Sequence, residues 1–340
     1  MKLLKPTLAA LVIAASSIFV PQAVVALEDG DTVRIVIPYR PGGGYDSQGR
    51  LVAPYVEAAL REAGLSNVNV IVQNVTGGGG AIATATVYAA DPDGKTILFL
   101  DPESSIWQQS LAGAPFEVDK FSFIGQMSID PMVFMIRTNN GMETWGDLLK
   151  RSADTSILMG TSGKGGYDHI MPIILSEMLK DAGTPVQFDY LHLDGTAPIL
   201  ASMARGEVEG SVEVISTFGD AEESGEVSFL FDFIADGEEN GQWPDASAIT
   251  KLSPEKAELL GSAMNYRRVF VAPPGIATDV LVMLRDAFEA ALNNEELIDK
   301  SINSRRPITF VNGEDIAKAI AKEAELARQF APIIENATSE

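Results

Sequence analysis

The sequence predicts an α/β protein with two sheets, each mostly parallel and covered by helices. Three observations carry that prediction. From Thr32 to about Leu100, β-branched runs alternate with amphipathic or alanine-rich segments, the pattern of consecutive βα units. The middle of the chain repeats the alternation, which calls for a second sheet. Three glycine clusters, Gly42 to Gly44, Gly77 to Gly80 and Gly160 to Gly166, each follow an expected strand. Ligands of open α/β sheets bind at the carboxyl ends of strands, so two facing sheets would gather these loops around one cleft.

Val33 to Ile37 opens the first unit as a strand, followed by Pro38-Tyr39-Arg40-Pro41-Gly42-Gly43-Gly44-Tyr45-Asp46. A helix then follows, with a kink or a late start expected at Pro54, which lacks an N–H and crowds the carbonyl of Arg50. Val68, Val70 and Val72 alternate as a second strand, Ala81 to Ala90 is helix-prone, and Thr96 to Leu100 is a third strand. Phe116 to Gln126 reads as irregular. Met132 to Ile136, Ile157 to Met159, Val186 to Leu191 and Ser211 to Ile215 read as strands. Helices are expected at Met142 to Arg151, Tyr167 to Leu179 and Ala197 to Arg205. Glu226 to Phe233 and Arg268 to Val271 are further strands, separated by a polar loop at 237–248. Helices follow at Ala277 to Leu292, Glu295 to Asn303 and Asp315 to Phe330.

At 340 residues, 46% of them hydrophobic, the chain has length for about two domains and the composition of a globular protein. Residues 1–26 read as a secretory signal peptide: Lys2 and Lys5, an apolar run from Leu8 to Val20, then small residues ending at Ala26. There is no cysteine, so no disulfide or thiolate chemistry is available. The formal charge of −22 argues against nucleic acid and anionic membrane surfaces as partners.

Glycine backbone at a helix start leaves N–H groups free to converge on an anion, helped by the positive end of the helix dipole. In so acidic a chain that attraction must be local. Catalytic patterns fail on inspection. A phosphate-binding loop would need glycine at Leu158 and a hydroxyl residue at Gly165; a nucleophile elbow around Ser162 would need glycine at Lys164. Asp168 and His169 are adjacent on a helix, so the acid cannot readily orient the imidazole toward Ser162. The two histidines, His169 and His192, lack metal-ligand spacing. His169 reads either as a residue steadying the glycine loop or as a ligand contact. His192, at a strand end, faces either the cleft or solvent. Asp46 suits an N-cap, a ligand contact or both.

The motif Pro38-Tyr39-Arg40-Pro41-Gly42-Gly43-Gly44-Tyr45-Asp46, with Arg50 beyond it, resembles the opening of the tripartite tricarboxylate transporter substrate-binding proteins, the Bug or TctC-like family. Gln73-Asn74-Val75-Thr76-Gly77-Gly78-Gly79-Gly80, Asp91-Pro92-Asp93-Gly94-Lys95-Thr96-Ile97-Leu98 and Gly160-Thr161-Ser162-Gly163-Lys164-Gly165-Gly166-Tyr167-Asp168-His169 are similar to later motifs in the same order. Leu191 to Pro198 and Ala272-Pro273-Pro274-Gly275 also fall where the family has related segments. The resemblance implies a type II periplasmic binding protein fold, with residues 27–131 plus 262–340 as the first lobe and 132–261 as the second. It implies a periplasmic, non-enzymatic receptor, without cofactor or metal, that holds a small carboxylate between the lobes and delivers it to the large and small subunits of a membrane permease. A ligand-sensing module on the same fold and a secreted hydrolase are the alternatives.

The binding set expected from motif and resemblance is Tyr39, Gly43, Gly44, Tyr45, Asp46, Asn74, Ser162, Gly163, Gly165, Gly166, His169, His192 and Asp194. Backbone amides of Gly43, Gly44 and Tyr45 and of the 163–166 loop would hold one carboxylate. Tyr39 and Tyr45 would wall the cavity, and Asp46, His192 and Asp194 would select the rest of the ligand. Three positions depart from the family pattern. Tyr45 stands where a small hydroxyl residue is usual, Gly166 where a serine commonly caps the second-lobe helix, and His192-Leu193-Asp194 where a Pro-Tyr-Lys-like segment is common.

Overall fold

The computed structural model describes residues 27–130, 132–233, 250, 252–253, 266–304 and 306–338. The signal peptide expected at 1–26, the polar loop expected at 237–248 and the lobe boundaries expected at 131 and 261–262 lie outside the described residues.

In chain order the first sheet begins with β1 (Thr32–Ile37), α1 (Gly44–Glu62), β2 (Asn69–Asn74), a 3-10 turn (Gly78–Gly80), α2 (Ala81–Tyr88), β3 (Thr96–Leu100), α3 (Pro102–Ala112) and β4 (Ser122–Asp130). The second follows as β5 (Met132–Arg137), α4 (Trp145–Ser152), β6 (Ile157–Thr161), α5 (Tyr167–Asp181), β7 (Phe188–His192), α6 (Thr196–Arg205), β8 (Gly210–Val214), α7 (Ile215–Glu223) and β9 (Val227–Asp232). The chain then returns to the first sheet with β10 (Tyr266–Ala272), α8 (Thr278–Leu292), α9 (Glu295–Asn303), β11 (Val311–Asn312) and α10 (Gly313–Thr338). Strand order is β11-β4-β10-β3-β1-β2 in one sheet and β7-β6-β8-β5-β9 in the other.

β3 is apolar on both faces, and β1 on the face of Val33, Ile35 and Ile37: Ile35, Ile37, Ile97, Leu98, Phe99 and Leu100 are fully buried. β2, at the edge, alternates between exposed and half-buried residues. α1 buries Tyr45, Gly49, Val52, Val56 and Leu60 at helical spacing. Contrary to the late start expected at Pro54, the helix begins at Gly44 and runs through the proline, which lies on its exposed side. The carbonyl that Pro54 leaves without a donor is therefore on the solvent side.

Both sheets are mixed, and parallel pairing is less dominant than the βα alternation suggests. The pairs β1–β2, β1–β3, β6–β7 and β6–β8 are parallel. The pairs involving β10, β11 and β5 are antiparallel. The antiparallel strands sit where the chain changes sheet. β4 ends at Asp130 and β5 begins at Met132, so one residue separates the two sheets; β9 and β10 make the return. α10 packs on α3 and β4 of one lobe and on α5 of the other.

Aromatic stacks centre each lobe. Phe99 and Phe270 lie face to face at 4.2 Å, with Phe288 at 4.6 Å from Phe270. Phe134 stacks on Phe231 at 5.3 Å, with Trp145 edge-on to both. Phe270 is on β10, so the first core is built partly by a strand that enters after the second lobe is complete. Phe270→Ala should lower unfolding free energy by about 3–5 kcal/mol in urea titration, through loss of the stack and the cavity left under α8.

Candidate functional site

The loop from Pro38 to Gly43 is held from behind by an acid and an amide. Asp46 accepts from the Gly42 N–H at 3.0 Å and from Arg50 Nε at 2.9 Å. Asn74 Nδ2 donates to Asp46 Oδ1 at 3.0 Å and to the Tyr39 carbonyl at 2.9 Å. Burial pushes the Asp46 carboxyl up, but the bonds from Arg50, Gly42 and Asn74 outweigh it and hold it below the usual range. Asp46 and Asn74 thus brace the loop. The N-cap of α1 is Gly43, which offers no capping side chain. Among the described residues the N–H groups of Gly43, Gly44 and Tyr45 have no acceptor. This first turn faces the other lobe: a Cβ on Gly44 would lie 2.8 Å from Thr217 Oγ1 and 3.1 Å from Arg268 Nη2.

The second-lobe loop is differently engaged. The Ser162 N–H donates to Asp168, the Gly165 N–H to His169 Nδ1 at 3.1 Å and the Gly166 N–H to the Gly163 carbonyl at 3.0 Å. The Tyr167 N–H crosses the cleft to Ser104 Oγ at 3.0 Å. Most amides of this loop therefore already have partners inside the chain. Its glycines serve close approach: Gly163 has φ +155°, and a Cβ there would lie 2.3 Å from the Gly79 nitrogen. Gln108 Nε2 donates to the Gly79 carbonyl at 2.8 Å, fixing the opposing turn.

Between these points lies a cluster of buried tyrosines. Ring centroids are 5.1 Å apart for Tyr39 and Tyr45, 6.0 Å for Tyr45 and Tyr266, and 4.3 Å for Tyr266 and Tyr167. Asp101, the N-cap of α3, accepts from the hydroxyls of Tyr39 at 2.5 Å, Ser104 at 2.8 Å and Tyr266 at 3.3 Å. The Tyr167 hydroxyl donates to Glu213 at 3.0 Å. Burial raises Asp101, lifts Glu213 well above the carboxylate range and takes Asp168 up to about 7. Acids that keep their protons to higher pH leave the cleft interior less negative than its residue types suggest.

The histidines lie apart from the α1 turn. His169 meets His192 edge-on at 4.9 Å and Tyr190 at 4.7 Å. All three line a pocket of ≈ 420 Å³ bounded entirely by second-lobe residues, Lys164 and Phe188 among them. His192 Nδ1 shares a 2.6 Å hydrogen bond with Thr161 Oγ1. Asp194, at φ +56°, forms an exposed ion pair across the lobes with Arg40 at 3.2 Å. The structure thus gathers Tyr39, Gly43, Gly44, Tyr45, Ser162, Gly163, Gly165 and Gly166 at the interlobe crevice. It places Asp46 and Asn74 behind the first loop and His169 and His192 in the second-lobe pocket. Arg268, Thr217, Tyr167, Tyr266, Asp101 and Ser104 were not anticipated. The one signal in the sequence was the pair Arg267 and Arg268, two charges in the otherwise apolar strand Tyr266–Ala272. Among the described residues no group of histidines and carboxylates could hold a metal ion.

Two α/β lobes, a chain that crosses between them twice and glycine turns meeting in the crevice define a periplasmic binding protein fold. Solved structures agree. That of the periplasmic binding protein BugD superposes with TM-score 0.76 at 20% identity, covering 91% of this chain and 98% of that one. Two from Rhodopseudomonas palustris are similarly close. Rpa4515 with adipate has TM-score 0.72 and 19% identity over 89% and 97% of the chains; MatC with bound malate has 0.71 and 18% over 90% and 98%. The chain belongs to the tripartite tricarboxylate transporter family receptors (TctC), whose family model matches residues 56–338. These are solute-binding proteins, not enzymes. A UPF0065 protein of Agrobacterium vitis is 26% identical over 181 residues, 52% of this chain and about half, 49%, of that relative's length.

Two outcomes follow from the second-lobe loop. Gly163→Ala should cost about 1–3 kcal/mol, from a backbone conformation that disfavours a side chain, and should hold the lobes apart. Small-angle scattering should then show a larger radius of gyration at unchanged far-ultraviolet circular dichroism. Burial, with the charges of His192 and Lys164 adding to it, pushes His169 down to about 4 from an ordinary 6.5. An imidazole that resists protonation only when folded makes stability fall as pH drops from about 6.5 to about 4. Asp168, raised by burial, acts in the opposite sense, so a comparison is needed. His169→Asn keeps an acceptor near Nδ1 but cannot titrate. The stability of the native chain relative to this variant should fall by about 3 kcal/mol between pH 7 and pH 4, read by denaturant titration at each pH.

Proposed function

We propose that the chain is a periplasmic receptor that captures a small organic acid between its lobes and delivers it to the membrane subunits of a tripartite tricarboxylate transporter. The observation that carries this reading is the start of α1, where glycine backbone leaves the N–H groups of Gly43, Gly44 and Tyr45 without acceptors among the described residues, at the face turned toward the second lobe. Such a turn attracts an anion through its amides and the helix dipole together. One ligand carboxylate binds there. Tyr39 and Tyr45 wall the cavity, while Asp46 and Asn74 keep the loop in shape. The Ser162–Gly166 loop closes from the other side, with His169 and His192 lining the second-lobe pocket and Asp194 paired with Arg40 across the lobes.

The ligand class is a small di- or tricarboxylate or an aromatic acid, and the malate and adipate held by the two Rhodopseudomonas proteins favour a dicarboxylate. Export follows from residues 1–26, whose charge, apolar run and small-residue end suit a cleaved leader. Closure over the ligand shifts an open–closed equilibrium, and the closed form is what the permease reads.

A thermal-shift screen of malate, adipate and benzoate tests the proposal. A binder at 100 times its Kd should add about 2.7 kcal/mol to the unfolding free energy, seen as a rise of several degrees in Tm. Indifference to every carboxylate would overturn the receptor reading.

A further inference from the structure

Arg268 is 1% exposed and lies on β10, the strand that returns from the second lobe. Its guanidinium has two unlike sides. Nη1 pairs with Asp130 and approaches Ser128 Oγ at 3.5 Å. Nε is buried without a hydrogen-bond partner, and Nη2 has none among the described residues while lying close to Gly44. The rings of Tyr45 and Tyr266 flank the charge at 5.2 Å each. The Nε–Nη2 edge is the side of a guanidinium that grips a carboxylate with two parallel bonds.

Charge argues in the same direction. The first turn of a 19-residue helix carries a partial positive charge, and Arg268 sets a full one against it. The charge of Arg306 is close enough to act on Arg268 as well, and Asp101 acts on it in the opposite sense. Asp130 answers one of these charges, and Ser216 Oγ of the second lobe donates to it at 3.1 Å. Asp46 sits in the first turn of α1, but its carboxylate is turned to Gly42, Arg50 and Asn74. Asp220, on α7, offsets Arg306. Burial lowers Arg268 to about 10, so it remains a cation at neutral pH. A cation buried against the positive end of a helix is repelled unless an anion lies between them.

We propose that the Nε–Nη2 edge of Arg268 is the counter-charge for a ligand carboxylate, which it grips from the side opposite the Gly43, Gly44 and Tyr45 amides. Thr217 on α7 then supplies a hydroxyl from the second lobe, so the same carboxylate touches both lobes and the returning strand. This deepens the receptor reading and rests on it. It makes a full negative charge at that end of the ligand obligatory, and it favours a planar carboxylate over its amide.

Calorimetric titration of the full chain with malate, adipate and benzoate tests the assignment, using whichever acid gives the largest thermal shift and its amide as the uncharged control. Arg268→Gln should weaken binding of that acid by about 30-fold or more. Arg268→Lys, which keeps the charge but loses the fork, should fall between. Because Arg268→Gln strands Asp130, the double variant Arg268→Gln with Asp130→Asn is measured beside it; it removes both buried charges and should show the same loss of affinity. Unchanged affinity in the folded double variant would overturn the role of Arg268 while leaving the receptor reading intact. Equal binding of the amide by the native chain would overturn it too. A native chain that binds none of the three acids would overturn the receptor reading and this proposal together.

Discussion

The structure depends on a helix start that the chain declines to satisfy. Among the described residues, three N–H groups at the first turn of α1 face the second lobe without acceptors and no capping side chain closes the turn. A glycine at the cap costs only a few tenths of a kcal/mol relative to serine or aspartate. The chain has an acid available, Asp46, yet uses it to hold Gly42, Arg50 and Asn74 in place. Gly44 has the same logic from the other side: a β-carbon there would meet Thr217 and Arg268. Bracing the loop from behind while leaving its front bare is the arrangement a binding turn requires and a structural turn does not.

That constraint also resolves the conflict between an acidic chain and an anionic ligand. The charge of −22 is spread over the whole molecule, and exposed charges more than about 10 Å away are largely screened by salt. Inside the cleft the balance differs. Asp101 and Glu213 are buried beside tyrosines, with their carboxyls held above the usual range by loss of solvent. Nearby sit Arg268, the α1 dipole and Arg306. The field a ligand meets at the α1 turn is set by these few groups and not by the surface.

Much of the fold was legible because its cause was local. Buried strands showed as apolar runs, and glycine clusters marked the turns after them. α3 was missed because Asp101 at its N-cap and Glu103, Ser104, Ser105 and Gln108 within it are polar and buried, so the helix shows no apolar stripe. α7 was missed because it starts directly from strand residue Val214 without a cap. Antiparallel pairing along β10 depends on where the chain returns, which no local pattern records. For the site, the first glycine loop announced itself, whereas the tyrosine cluster joins residues 39 and 45 at that loop to 167 and 266 from two distant segments. The second-lobe glycines suggested a cradle of amides. Their conformation instead allows backbone to approach backbone, a distinction that depends on the position of Gly79.

The contacts that join the lobes at the crevice are weak ones, and this bears on how a receptor signals. Gly79 against Gly163 and Gly166 is backbone on backbone, with no side chain to bury. Arg40 and Asp194 are about half exposed, and such pairs contribute roughly 0–1 kcal/mol. The Tyr167–Ser104 and Ser216–Asp130 hydrogen bonds add about 1 kcal/mol each. A closed state resting on these contacts and on the buried Tyr167–Tyr266 packing competes with an open one. A ligand that engages α1, α7 and β10 together contributes enough differential binding to decide between them. Stronger contacts between the protein's own side chains would keep the lobes shut whether or not a carboxylate was present, and closure would then carry no information to a partner.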